Sequence, residues 1–158
     1  MTVGWTQVER DAPALAGLAD GVLAARRLKT LATLRRDGSP RLSEISGAFV
    51  RAGDFWLGLI PSAKERDLDL DPRCSVHCGS PTDEFGASAR VSGGAVRAEP
   101  GDAVRLGMVK DGEAPTFSLF RLDIGEVVVT RPEPGSGRIL AEWWTPRGGL
   151  GRLVREGG

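Results

Sequence analysis

The residues of this chain best suited to chemistry are Ser62-Ala63-Lys64-Glu65, which follow Pro61 and the apolar run Phe55-Trp56-Leu57-Gly58-Leu59-Ile60. Ser62 with Glu65 three residues on has the form of a capping box, in which each side chain satisfies a free N–H at a helix start. That pattern accounts for the serine and the glutamate but not for Lys64, whose charge in the first turn opposes the helix dipole. An anion there reverses the sign, because backbone N–H groups, the Ser62 hydroxyl and the Lys64 ammonium would all donate to a phosphate. On the residues alone, a capped surface helix stands slightly ahead of a phosphate site. Arg66 could add a second phosphate contact, although an exposed helical arginine is the simpler reading. Arg41 begins a strand beside a turn, where it could meet an acidic coenzyme tail or only solvent.

The elements that must position these residues alternate with clear turn signals. Asp11–Arg27 reads as a helix, with Leu15, Leu18, Val22 and Leu23 at helical spacing. Leu28–Leu34 reads as a strand, Asp37-Gly38-Ser39-Pro40 as a turn, and Arg41–Val50 as a second strand. Ala52-Gly53-Asp54 turns into the Phe55–Ile60 strand, and the short helix opened by Ser62 closes at Asp71-Pro72. Arg73–Gly79 is a further strand and Pro81–Gly86 a loop. Ala87–Ala98 alternates well, and its Gly93-Gly94 pair predicts a bulge or sharp bend. A helix is expected from Glu99 to about Val109, strands over Phe117–Arg131 and Arg138–Trp144, and a glycine- and arginine-rich mobile tail over 146–158. Residues 1–10 read as an N-terminal arm on a single domain spanning 1–158. About six to eight sequential strands with an N-terminal helix and one or two short crossover helices favour a mostly β, mainly antiparallel barrel.

Composition narrows the function classes. Of 158 residues, 41% are apolar and 27% charged, ordinary values for a globular domain. The 21 basic and 21 acidic side chains cancel, so no global field draws in nucleic acid or an anionic membrane. No apolar run approaches the roughly 20 residues of a spanning helix. Met1-Thr2-Val3-Gly4-Trp5 lacks the basic-then-apolar pattern of an export signal, and a cytoplasmic protein is expected. On a strand, Cys74 and Cys78 lie about 13 Å apart on one face at roughly 3.3 Å per residue, too far for a disulfide. His77 points to the other face, so the three cannot converge on one metal. The two cysteines are expected to be reduced and buried, and His77 to be a core or interface residue. Asp67-Leu68-Asp69-Leu70-Asp71 lacks the glycine turn of a calcium loop and reads as a solvated acidic helix end. Trp143-Trp144 places one indole on each strand face, one of them in the core.

In their order and spacing, Asp37-Gly38-x-Pro40 with its following strand, Ser62-x-Lys64, the Asp71-Pro72-Arg73 stop and Leu119-Phe120-Arg121-Leu122-Asp123-Ile124 resemble the pyridoxamine 5′-phosphate oxidase-like family. That family comprises the FMN-binding split barrels and their deazaflavin-dependent relatives, and the resemblance spans roughly Leu15 to Thr130. It implies a split β-barrel in which Ser62 and Lys64 grip the cofactor phosphate. It also implies that the ring lies against Ser43, Glu44, Ile45 and Ser46, largely through backbone contacts. In the authentic oxidases the second strand carries an arginine to the phosphate and a lysine near the ring. Those positions fall at Ser43 and Ala48 here, so pyridoxal salvage is not expected.

The resemblance therefore implies an oxidoreductase passing hydride between FMN, or the deazaflavin coenzyme F420, and a small molecule. Arg41 and Arg66 are candidates for a longer acidic tail. The cofactor would lie at the interface of a homodimer, with substrate contacts from Pro81–Gly86 and the C-terminal strand. The chain has no tyrosine, so water or the substrate itself would serve as proton donor. The alternatives are a split barrel that binds flavin or haem as carrier or sensor without turnover, and a cofactor-free dimeric interaction module.

Overall fold

The computed structural model describes residues 2–80, 82 and 85–157. Two helices open the chain, α1 (Trp5–Asp11) and α2 (Pro13–Ala25). Then come β1 (Lys29–Leu34), β2 (Pro40–Ile45), β3 (Ala48–Arg51), β4 (Asp54–Leu59), helix α3 (Ala63–Leu70), β5 (Arg73–Cys78) and β6 (Ser88–Arg97). The short α4 (Asp102–Arg105) precedes β7 (Ser118–Pro132), β8 (Arg138–Thr145) and β9 (Gly149–Glu156). The strands pair antiparallel in the order β2-β1-β5-β6-β7-β4-β3, with β8 and then β9 added beside β7. The fold is mostly β with minor α, as the alternation and turn signals predict.

The outermost strands of that path, β2 and β3, are consecutive in the chain. The stretch expected as one strand, Arg41–Val50, is broken at Ser46-Gly47, and its two pieces pair with β1 and β4 respectively. One bent segment thus joins the two ends of the sheet and closes it on itself. At the bend the Gly58 N–H donates to the Gly47 carbonyl at 2.6 Å. A Cβ on Gly47 would sit 2.1 Å from the Gly58 carbonyl oxygen, so only glycine permits the approach. The Gly93-Gly94 expectation is met by a register shift between Ser92 and Gly93, where β6 crosses β7.

The barrel interior is filled by alternate residues of these strands, among them Leu31, Leu57, Val76, Val91, Leu122, Val127 and Trp144. Cys74 and Cys78 flank Val76 on this inner face, both free and buried, and burial pushes the Cys74 thiol up to about 12. His77 points outward and is exposed rather than in the core. Helix α2 covers the barrel with Leu15, Ala16, Ala19 and Leu23, so Leu18 faces outward instead. Buried Lys29 donates through Nζ to the Arg26 carbonyl at 2.7 Å, satisfying an orphan group where α2 ends.

Three expectations are corrected. Within the stretch read as an N-terminal arm, Trp5–Asp11 is helix α1. Trp5 and Val8 of α1 are buried, Trp5 packs on Phe55 with ring centroids 6.0 Å apart, and the Val3 N–H donates to Asp123 at 2.7 Å. The 146–158 tail is largely strand β9, in continuous register with β8 from Arg138↔Glu156 to Thr145↔Gly149, which adds a strand beyond the expected number. Its glycines serve the hairpin: Gly149 adopts φ 66°, and Gly151 lies beneath the Trp143 indole, where a Cβ would come within 2.4 Å. The helix expected from Glu99 to Val109 is only α4, halted where Gly107 turns at φ 69°.

Replacing Gly47 by alanine should therefore destabilise the protein by about 1–3 kcal/mol, the scale of overpacking. Gly94→Ala, where a Cβ meets nothing within 4 Å, should stay within about 0.5 kcal/mol of the parent. Urea unfolding of both variants checks the pair, and equal stabilities would discount the Gly47 contact.

Candidate functional site

The seam between β2 and β4 opens a small pocket of about 140 Å³. Its first wall is Glu44, Ile45 and Ser46 at the end of β2, and its second is Gly58, Leu59 and Ile60 at the end of β4. Lys64, in the first turn of α3, completes it. The β2 strand pairs with β1 along one edge only, so backbone groups on its other edge are left for a ligand. Lys64 is half-buried and makes no salt bridge among the described residues. Ile60 at the pocket wall is 69% exposed, and Leu42, on the outer face of β2, is 72% exposed.

The structure thus brings four of the sequence-derived residues together: Glu44, Ile45, Ser46 and Lys64. The others lie elsewhere. Ser43 turns inward opposite Leu31 in β1. Ser62 donates its hydroxyl to the Ile60 carbonyl at 2.8 Å and makes no side-chain cap on α3, so the expected capping box is not closed by the serine. Arg66 is exposed on a different side of α3 and lines a second pocket together with Arg41. The expected substrate-contacting loop Pro81–Gly86 lies partly outside the described residues, since Pro81, Asp83 and Glu84 are not among them.

Lys64 is held in place by its neighbours on α3. Glu65 accepts hydrogen bonds from the Ser118 hydroxyl and from Arg97 (3.2 Å), tying the helix to the start of β7 and the end of β6. Arg97 also pairs with Asp69 at 2.8 Å and lies over the Phe120 ring, 4.7 Å from its centroid. On the other side, buried Asp67 accepts from Arg41 at 2.6 Å and from the Thr33 hydroxyl at 2.7 Å. The acidic run 67–71 is therefore not simply a solvated face: Asp67 is buried as an anchor, and Arg41 is its partner. The sequence carries a trace of this in Arg41 on a strand that must cross the helix, but the acidic run by itself does not reveal which carboxylate turns inward.

No protein-family model and no curated protein sequence matches the chain. Solved structures do. PhzG from Burkholderia lata 383, determined in complex with tetrahydrophenazine-1-carboxylic acid, is 18% identical, with 94% of this chain and 96% of that one covered and a TM-score of 0.66. A pyridoxamine 5′-phosphate oxidase-related, FMN-binding protein from Nostoc punctiforme PCC 73102 is 13% identical over 92% and 96% of the chains, with a TM-score of 0.63. This chain has the split-barrel fold of these proteins. The same barrel is shared with a heme-binding protein from Mycobacterium smegmatis, 21% identical over 90% of this chain and 58% of that one, with a TM-score of 0.60. The split barrel's seam and its helix after β4 are where the pocket lies.

Both anchoring carboxylates have lowered pKa values. Glu65 is held down chiefly by the Ser118 hydroxyl and then by Arg97, and Asp67 chiefly by Arg41 with Thr33 adding to it. In the unfolded chain these groups titrate near 4.5 and 3.8, so below those values the unfolded state binds more protons. Their contribution is complete above about pH 5 and is lost as pH falls through 4.5 and 3.8 towards the lowered folded values. The melting temperature should drop steadily below that range, and the paired substitution Glu65→Gln/Asp67→Asn should lower it at neutral pH while flattening its acid limb. A parent melting temperature unchanged down to about pH 3 would show that these carboxylates do not anchor the helix.

Proposed function

We propose that this split barrel binds a flavin-type cofactor at the β2–β4 seam and acts as an oxidoreductase on a small molecule. The observation that carries the reading is Lys64, a half-buried cation without an ion pair among the described residues, beside an unpaired strand edge. A phosphate would supply the counter-charge that Lys64 lacks, and the first-turn N–H groups of α3 would add donors. The open edge of β2 at Glu44–Ser46 offers backbone donors and acceptors to a planar heterocycle, and Ile60 offers apolar cover. The bound ring would itself supply the hydride chemistry. The chain's share is to hold the phosphate, align the ring along β2 and exclude water at the rim.

The fold relatives support this reading, one being FMN-binding and another solved with a phenazine carboxylic acid. A haem is the weaker alternative despite the heme-binding relative. The sole histidine, His77, lies on the exposed face of β5, two strands from β2, and does not line the pocket. Pockets that bury small molecules usually offer about 300–1,000 Å³. The volume here, about 140 Å³, is a fraction of that, and Ile60 at its wall is exposed. We therefore propose a homodimer in which a second copy completes the enclosure of the ring.

Equilibrium titration with FMN and with the deazaflavin coenzyme F420, read by flavin absorbance and fluorescence quenching, tests the site. Lys64→Ala should weaken cofactor binding by about 1.5–3 kcal/mol, the scale of a hydrogen bond to a charged group. Unchanged affinity in that variant would remove the phosphate assignment, and a reductase screen with the bound cofactor then tests turnover.

A further inference from the structure

Strand β9 lies outermost beyond β8 and pairs with β8 alone. Its other edge is open from Gly149 to Glu156, and its register with β8 runs without a break. Edge strands are commonly blunted by a bulge, a proline or a run of like charges. Gly149-Leu150-Gly151-Arg152-Leu153-Val154-Arg155-Glu156 has no bulge and no proline, and its charges are of both signs. Leu150, Leu153 and Val154 are exposed, so apolar side chains flank an unpaired row of backbone groups.

The ladder with β8 decides which backbone groups face outward. The Gly157 N–H donates to the Gly137 carbonyl at 3.0 Å, one step beyond the Arg138↔Glu156 pair. Hydrogen-bonded and non-bonded pairs alternate along antiparallel strands. Gly151, Leu153 and Arg155 therefore turn their N–H and C=O groups to β8, as Gly157 does. Leu150, Arg152, Val154 and Glu156 turn theirs to the open edge, and their side chains share one face. Arg152 and Glu156 make no salt bridge among the described residues. Their cross-strand neighbours are already engaged, Glu142 by Arg131 and Arg138 by Glu133.

The edge is complementary to itself. In an antiparallel pair about a two-fold axis at Val154, Val154 bonds its own counterpart and Arg152 bonds Glu156 of the other copy. The guanidinium and the carboxylate then meet on both sides of the axis, on the face they share with Val154. On the opposite face Leu153 meets the aliphatic stem of Arg155. An axis at Leu153 would set each charge against an aliphatic side chain, and one at Arg152 would oppose two guanidinium groups. We propose that the open edge of β9 is a docking edge for a second copy of this chain, joining two sheets into one continuous antiparallel sheet through Arg152, Val154 and Glu156. The edge lies beyond β8, which pairs with the last part of β7, whereas the seam strand β4 pairs with its start. The inference therefore stands apart from the cofactor reading, and where copies also associate at the seam, the β9 edge joins such dimers to one another.

Size-exclusion chromatography with light scattering, on the full chain over roughly 10–200 µM, measures the molar mass of the parent and its variants. Val154→Pro removes the central outward N–H and spares the ladder with β8. Arg152→Glu and Glu156→Arg each set like charges opposite one another, and Arg152→Glu/Glu156→Arg restores opposite ones. The parent should exceed the mass of one copy, and Val154→Pro and each single reversal should lower that mass by about half. The double reversal should recover it. Circular dichroism checks that each variant is folded, and the reversals, at exposed positions, decide the matter if the proline variant does not fold. A parent that stays a single copy throughout the range overturns the docking edge. A mass above one copy that is indifferent to both single reversals also overturns it, and leaves a dimer at the seam standing. A double reversal that fails to recover the mass lost by the single ones overturns the pairing of Arg152 with Glu156 on which the edge rests.

Discussion

The hydrogen bond from the Gly58 N–H to the Gly47 carbonyl is the contact on which this architecture turns. It draws the bend between β2 and β3 against the end of β4, so one chain segment belongs to both ends of the sheet. The bond continues the β3–β4 ladder by one residue, and the chain itself carries the bend on into β2. The two end strands of the sheet are so held together, while the outer edge of β2 stays unpaired. The closure is local. Beyond Gly47 the strands diverge, and the unpaired length of β2 is left beside the entry to α3. The opening in the barrel is thus a by-product of how the barrel shuts.

Helix α3 spans only Ala63–Leu70, too short to hold itself by backbone hydrogen bonds alone. It is fixed instead by carboxylates reaching in different directions: Glu65 to Ser118 and Arg97, Asp67 to Arg41 and Thr33, and Asp69 to Arg97. Each acidic residue on the helix that meets a basic one is thereby withdrawn from the pool of charges available to a ligand. Among the described residues, Lys64 on one side of its first turns and Arg66 on the other make no salt bridge. A chain with zero net charge so presents unpaired cations around this turn.

Much of the barrel could be read from the sequence, because turn residues sit between alternating runs. Asp37-Gly38, Ala52-Gly53 and Gly93-Gly94 each mark a feature that the strands obey. The convergence of Glu44–Ser46 with Lys64 also agrees with the order of elements. What could not be read depends on contacts distant in sequence. The break at Ser46-Gly47 is set by Gly58 across the seam, not by local propensity. The glycines after Trp144 look like a loose end until Trp143 is seen to cover Gly151. Arg41 could not be told from a ligand contact without knowing that Asp67 turns inward.

Strand β7 has a further consequence. It runs from Ser118 to Pro132, pairing with β6 almost throughout, with β4 near its start and with β8 near its end. Both halves of the barrel therefore lean on one strand, and neither can melt while the other stays whole. Strand β9, which pairs with β8 alone, can fray by itself, whereas β8 is held by buried Trp144. Amide protons along the middle of β7 will exchange with solvent only when the whole molecule opens, and they measure its global stability directly.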